Sequence, residues 1–178
     1  MEGIAAVTIS MHQASVGVFT HFLDSLSDLL DRAAAHAEKQ KIDPSILLNT
    51  RLSPNMYNLI RQVGEANRHA VFACALLAGI DPPVFPETEP DIAGLKARIS
   101  TVKEFLAGIP PSQINGTEAK EVVFTFRNGL TQQFTGQSLL LTFSVPQFFF
   151  HVTTAYDILR HCGVELVKKD FLGVGRQV

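Results

Sequence analysis

Tryptophan is absent from this 178-residue chain, and cysteine occurs only twice, as Cys74 and Cys162. No disulfide or metal staple is needed at this length, because a folded chain of this size buries roughly 70% of the surface its unfolded form exposes. Both cysteines fall within apolar helical patterns, where a free thiol acts as a small core residue, and a reducing compartment fits. A basic excess is also missing. The 15 Lys and Arg stand against 17 Asp and Glu, a formal charge of −2, and no stretch interleaves basic residues with aromatics. The electrostatic footprint of a nucleic-acid binder is therefore lacking, and a helix-turn-helix DNA-binding reading is disfavoured.

Long apolar runs are lacking too. The longest apolar patch, 145–152, is interrupted by Pro146, Gln147 and His151, so no membrane span is expected where about 18 apolar residues would be required. Residues 1–9 carry Glu2 where an export leader carries Lys or Arg, and His12 and Gln13 break any apolar region; the expectation is a cytoplasmic protein. Neither Gly-x-x-x-x-Gly-Lys nor Gly-x-Gly-x-x-Gly is found, so no phosphate loop is signalled, and Gly-x-Ser-x-Gly, the nucleophile elbow, does not occur. Internal repeats and low-complexity segments are absent as well.

What is present is the ordinary globular mixture, 46% hydrophobic and 18% charged, far from the signature of disorder. From Ser10 to Gln40 no proline intervenes, and His12, Val16, Phe19, Leu23, Leu26, Leu30, Ala33 and Ala37 recur in alternating steps of four and three. That period predicts one long helix packed at a shallow angle against others. A second helix is predicted from Ser53 as N-cap and Pro54 at the first helical position. Its face is Met56, Leu59, Val63, Ala66, Ala70, Ala73, Cys74 and Leu77, and Gly79 stops it. Pro82, Pro83, Pro86 and Pro90 force an extended connection of about a dozen residues, which reaches roughly 40 Å and lets helices two and three run parallel. Asp91 caps a third helix bearing Ile92, Leu95, Ile99, Val102 and Leu106, ending near Gly108.

The period then changes to two. Val122, Phe124 and Phe126 alternate with Val123, Thr125 and Arg127, and Asn128-Gly129 precedes 131–135, which predicts a hairpin with a type I′ turn. Residues 138–143 read equally as a third strand or as helix. A last helix spans about 145–162, with Phe148, His151, Val152, Ala155, Leu159 and Cys162 on one face, and Phe171 and Leu172 anchor the tail. The expected fold class is mainly α: one domain over 1–178, a four-helix bundle with a small β-hairpin inserted before the last helix.

The segment FFFHVTTAYDILRHCGVELVKKDFLG, with RLSPNMYNLIRQV at the second helix, resembles a bacterial and fungal family of unknown function within the DinB-like (YfiT-like) superfamily. The resemblance covers nearly the whole chain. It implies an up-down-down-up four-helix bundle, often a homodimer. It also implies kinship with divalent-metal-dependent enzymes, among them thiol-dependent transferases, that hold their ion with one histidine from the second helix and two, four residues apart, from the last. This sequence departs from that pattern. Four residues after His151 stands Ala155 and four before it Gln147, while the start of the second helix offers Asn55, Tyr57 and Asn58.

The remaining histidines are weighed by spacing. His151 and His161 lie ten residues apart, about 15 Å along one helix, and cannot share an ion; His12 and His21 point to opposite faces. His12 and His151 each sit on an apolar stripe in the first turns of parallel helices one and four, and they are the metal-ligand candidates, with Zn, Ni or Mn as the ion. The plain reading of each is a core imidazole bonded to a polar neighbour. Gln62, Asn55 and Tyr156 complete the pocket candidates. His69, beside Gln62, reads as a boundary residue, Asp157, Arg160 and His161 as solvated, and Arg51 as a surface charge beside a helix N-terminus. Two functions follow: a bundle that binds a small ligand or a second copy of itself without the three-histidine site, or a metal-dependent transferase or hydrolase rebuilt around His151 and His12.

Overall fold

Apolar side chains returning every third or fourth residue bury themselves as one stripe along the first helix of the structure, a computed structural model that describes residues 8–86, 89, 91–126 and 128–174. The expectations on residues 1–7, Pro90 and Arg127, and on the tail beyond 174, lie outside the described residues. Helix α1 (Val18–Gln40) turns Phe19, Leu23, Leu26, Leu30, Ala33 and Ala37 inward. A π-helical turn, Gln13–Gly17, precedes it. A short helix α2 (Pro44–Asn49), not foreseen from periodicity, follows because the Asp43 carboxylate accepts the Ser45 N–H (2.8 Å) with Pro44 in the first turn.

The second long helix does not start at Ser53 and Pro54. The Ser53 hydroxyl instead donates to Asn55 Oδ1 (2.8 Å), and Arg51 Nη1 donates to the Met56 carbonyl (3.2 Å), which holds this stretch as a loop. Helix α3 (Leu59–Ala78) begins after Asn58, whose side chain accepts the Arg61 N–H (3.1 Å). Met56 thereby leaves the helical face. Gly79, with φ +72°, closes α3, and residues 80–86 form no helix or strand. Helix α4 (Ile92–Ala107) opens on Asp91, whose carboxylate accepts the Gly94 N–H (2.7 Å), and buries Leu95, Ile99, Val102 and Leu106 as expected.

A four-residue helix α5 (Pro111–Ile114) leads to strands β1 (Glu121–Thr125) and β2 (Thr131–Thr135), antiparallel with Val123 opposite Gln133. The hairpin is present, but its turn is not type I′. Gly129 has φ +82° while Asn128 stays out of the left-handed region, and the Gly129 N–H donates to the Phe126 carbonyl (2.9 Å). After a helical turn α6 (Gly136–Ser138), residues 139–144 are π-helical, which settles the open choice for 138–143 in favour of helix. Gly136 is required here, since a Cβ would lie 2.0 Å from the Thr117 carbonyl oxygen. Helices α7 (Val145–His161) and α8 (Lys168–Leu172) end the described chain.

Side-chain pairs give the directions. Lys103 pairs with Asp24 and Lys96 with Asp31, so α4 runs antiparallel to α1. Phe148 meets Phe19 (4.9 Å between ring centroids), and Glu165, just past α7, meets Lys39, so α7 is parallel to α1. His151 contacts Gln62, and Phe143, earlier in the chain, contacts His69, later in α3, so α3 is antiparallel to α7. This is an up-down-down-up four-helix bundle. Outside its main core, Val122, Phe124 and Leu139 pack with Phe72, Phe126, Phe134 and Phe143, which seats the hairpin on α3. Among the described residues no helix is long and apolar enough to cross a membrane.

Candidate metal centre

Gln62, Glu65 and His69 follow one another at steps of three and four on α3, so they share a face. That face is turned to α7, whose antiparallel course brings His151 opposite. The donor atoms of Glu65, His69 and His151 all lie within 4.8 Å of one another, and all three residues are buried. The two imidazole rings lie nearly parallel (15°), their centroids 5.7 Å apart.

Gln62 fixes the His151 tautomer. Its Nε2 donates to the Tyr57 carbonyl (3.1 Å), so its Oε1 faces His151 Nδ1 at 2.7 Å and accepts that proton. The Nε2 lone pair of His151 is thereby left for another partner, the arrangement that orients a metal-ligating histidine. Burial pushes the pKa of His69 down to about 3, helped by the neighbouring His151 and Arg68. Burial, then the Arg68 charge, pushes that of His151 down to about 4. Both rings are neutral at pH 7, as metal ligation requires. The Glu65 carboxylate sits between Arg61 Nε and Arg68 Nη1, 3.3 Å from each.

Two imidazoles and one carboxylate form a donor set used by catalytic zinc, with a fourth position left for water or substrate. Zinc holds such donors at about 2.0–2.2 Å, and the three donor atoms here already lie within 4.8 Å of one another. Aromatics pack toward the hairpin: the Phe143 ring meets His69 edge-on at 5.8 Å, and the Arg68 guanidinium lies over the Phe72 ring at 5.0 Å and the Phe124 ring at 5.9 Å. Glu65 alone of the three lines the openings on either side, a cleft of about 510 Å³ walled by residues 82–86 and a smaller one of about 290 Å³ lined by Tyr57, Phe126 and Asn128.

Of the residues named from sequence, the structure unites His151 with Gln62 and separates the others. His12 does not join His151. Phe19 is level with Phe148 on the parallel helices α1 and α7, and His12 lies seven residues before Phe19 while His151 lies three after Phe148. That offset amounts to about 15 Å along the axis. His12 Nε2 faces the Ile109 carbonyl oxygen (3.2 Å) instead. Asn55 belongs to the loop before α3, and Tyr156 packs on Phe171 (5.9 Å). His69, read as a boundary residue, is only 5% exposed. Glu65 was missed because between Arg61 and Arg68 it looks like one charge of a solvated helix. The signal that finds it is Glu-x-x-x-His, Glu65 to His69, a carboxylate and an imidazole at ligand spacing. Cys74 is buried, with its thiol pushed up to about 12 by that burial, whereas Cys162 is half-buried. Cys74 is therefore no nucleophile.

The profile of a family described as a domain of unknown function (DUF1993) matches residues 11–172. The crystal structure of a DinB family member protein from Shewanella denitrificans is similar to this chain at 34% identity, covers 94% of each chain and superposes with a TM-score of 0.84. Among curated proteins none matches.

Proposed function

Because this chain belongs to the DUF1993 family and has the fold of the DinB-like bundles, we propose that it is a divalent-metal-dependent hydrolase or transferase whose ion is held by Glu65, His69 and His151. The observation that carries this reading is the convergence of those three buried donors. A bound Zn, Ni or Mn supplies Lewis-acid activation of a water or thiol, lowering its pKa. The protein's own groups do the rest. Gln62 holds the His151 Nδ1 proton so that Nε2 points to the site. Phe143 packs edge-on against His69 and against Phe124, and Arg61 and Arg68 hold the Glu65 carboxylate in place.

Calorimetric titration of Zn, Ni and Mn into chelator-stripped, untagged protein tests the reading. Near one ion per chain is expected for the wild type and for His12→Ala, with uptake abolished in His69→Ala and His151→Ala. Failure of the wild type to take up any of the three ions, or uptake unchanged in both histidine variants, contradicts it.

Binding of a small organic ligand is a second reading, favoured by the cleft of about 510 Å³ beside Glu65, a size typical of such sites. The resemblance to DinB-like proteins further leads us to propose a homodimer.

A further inference from the structure

On the reading that Glu65, His69 and His151 hold an ion, on which this inference rests, we propose that the β-hairpin is the outer support of that centre. Through Phe143 it fixes the ring plane of His69, so the seating of the hairpin on α3 and the binding of a divalent ion strengthen each other. Phe143 is thereby a positioning residue, and β1 and β2 acquire a role in regulating the site.

Alternation at period two gives β1 one inward face, Val122 and Phe124, while Glu121, Val123 and Thr125 stay exposed. Two strands alone are marginally stable in water, so the hairpin depends on what that face meets. It meets an apolar cluster separate from the main core, in which Val122, Phe124 and Leu139 are buried against Phe72 and Leu76 of α3 and against Phe126, Phe134 and Phe143. Phe143 is the hub of this cluster. Its ring centroid lies 4.9 Å from that of Phe124 on β1, 5.2 Å from Phe134 on β2 and 5.8 Å from Phe126. The same ring meets His69 edge-on at 5.8 Å. Phe143 belongs to the π-helical turn 139–144, a wide turn of the kind that recurs at functional sites.

What Gln62 does for His151 with a hydrogen bond, Phe143 does for His69 by packing. A ring wedged against the imidazole restricts its rotation, and a donor already held in one plane loses less freedom when an ion arrives. A second contact ties the hairpin to a donor: Arg68 lies over the Phe124 ring at 5.9 Å and donates from Nη1 to Glu65 Oε2 at 3.3 Å. Phe143 is the cleaner probe, because the Arg68 charge acts on a cation directly. Coupling of this kind is reciprocal. If detaching the hairpin loosens His69, a bound ion must oppose detachment to the same extent.

The test measures zinc affinity by competition with a chromogenic chelator, and hydrogen exchange of the hairpin with and without zinc. Phe143→Leu, which keeps apolar bulk but removes the ring, and Phe134→Ala, which weakens the seat from β2, are each expected to lower zinc affinity about tenfold. Leu26→Ala, which destabilises the main core instead, should leave it unchanged. The bonded pairs Lys120–Gly136 and Phe126–Leu130 place the amides of Val122, Phe124, Gln132 and Phe134 inside the ladder. With free zinc at 100 times its dissociation constant these amides should exchange up to about 100-fold more slowly in the wild type, and at an unchanged rate in His151→Ala. A Phe143 that only stabilised the fold would move neither readout. A wild type that takes up zinc overturns the inference, and leaves the metal reading standing, if Phe143→Leu or Phe134→Ala binds zinc as tightly, if Leu26→Ala loses as much affinity as they do, or if zinc does not slow the hairpin amides. A wild type that takes up no zinc overturns both.

Discussion

A histidine ligand has to be deprotonated when the ion arrives, and here burial arranges that for both rings, with pKa values near 3 for His69 and near 4 for His151. In the unfolded chain each returns to about 6.5. Between pH 6.5 and those values the unfolded state therefore binds more protons than the folded one, and stability falls as pH falls through this window, levelling off below it. Metal-free protein melted by circular dichroism at pH 7 and at pH 5 should be less stable at pH 5, and His69→Phe should flatten the dependence. Gln62 acts on the site through His151 alone. Gln62→Ala is expected to weaken metal binding by about 10- to 100-fold, while Gln62→Glu, which keeps an acceptor for the Nδ1 proton, should retain most of it; a competition assay with a chromogenic chelator reads both. Leu26, fully buried in α1, should cost about 2–5 kcal/mol when truncated to alanine, measured by urea unfolding.

At the scale of elements, the start of α3 decides how the donors are presented. Asn58→Ala removes the acceptor for the Arg61 N–H and should lower stability by about 0.5–2 kcal/mol, whereas Ser53→Ala, in an exposed loop pair, should stay within about 0.5 kcal/mol. Denaturant midpoints of the two variants compare them directly. The same contrast shows what the residues disclosed. Long stripes such as Phe19 to Ala37 and Ile92 to Leu106 were legible because only a helix repeats every 3.6 residues. Ser53-Pro54 misled because a serine before a proline also suits a turn, and nothing local reveals that its hydroxyl turns to Asn55. The hairpin was legible from alternation and Asn128-Gly129, but its turn type was not, since Asn-Gly also fits a turn with only the glycine left-handed. His151 and Gln62 were legible on their own faces. Their meeting with Glu65 and His69 depends on how far α7 slides along α3, and periodicity carries no information about that.

For the molecule as a whole, the up-down-down-up course makes α1 and α7 parallel neighbours, and this same feature sets His12 and His151 apart: a shared direction does not imply a shared level. The long connection after Gly79 that this topology demands also walls the cleft of about 510 Å³ beside Glu65. Ion binding should be visible as global stability. With free zinc at 100 times its dissociation constant the folded state gains about 2.7 kcal/mol, which for a chain of this length raises the melting temperature by roughly 5–11 °C. The same zinc should leave His151→Ala unmoved in a thermal scan. If the protein is a homodimer, light scattering at several concentrations should return twice the 19.5 kDa of the chain, and a mass of one chain throughout would remove that proposal.

X-ray absorption at the zinc edge of the zinc-loaded protein tests the three-donor centre most directly. Coordination by Glu65, His69 and His151 predicts two imidazole nitrogens at about 2.0–2.1 Å, a carboxylate oxygen and one further light atom, with one imidazole lost from the spectrum of His151→Ala. A spectrum with a single imidazole or none, or one unchanged by that substitution, would contradict it.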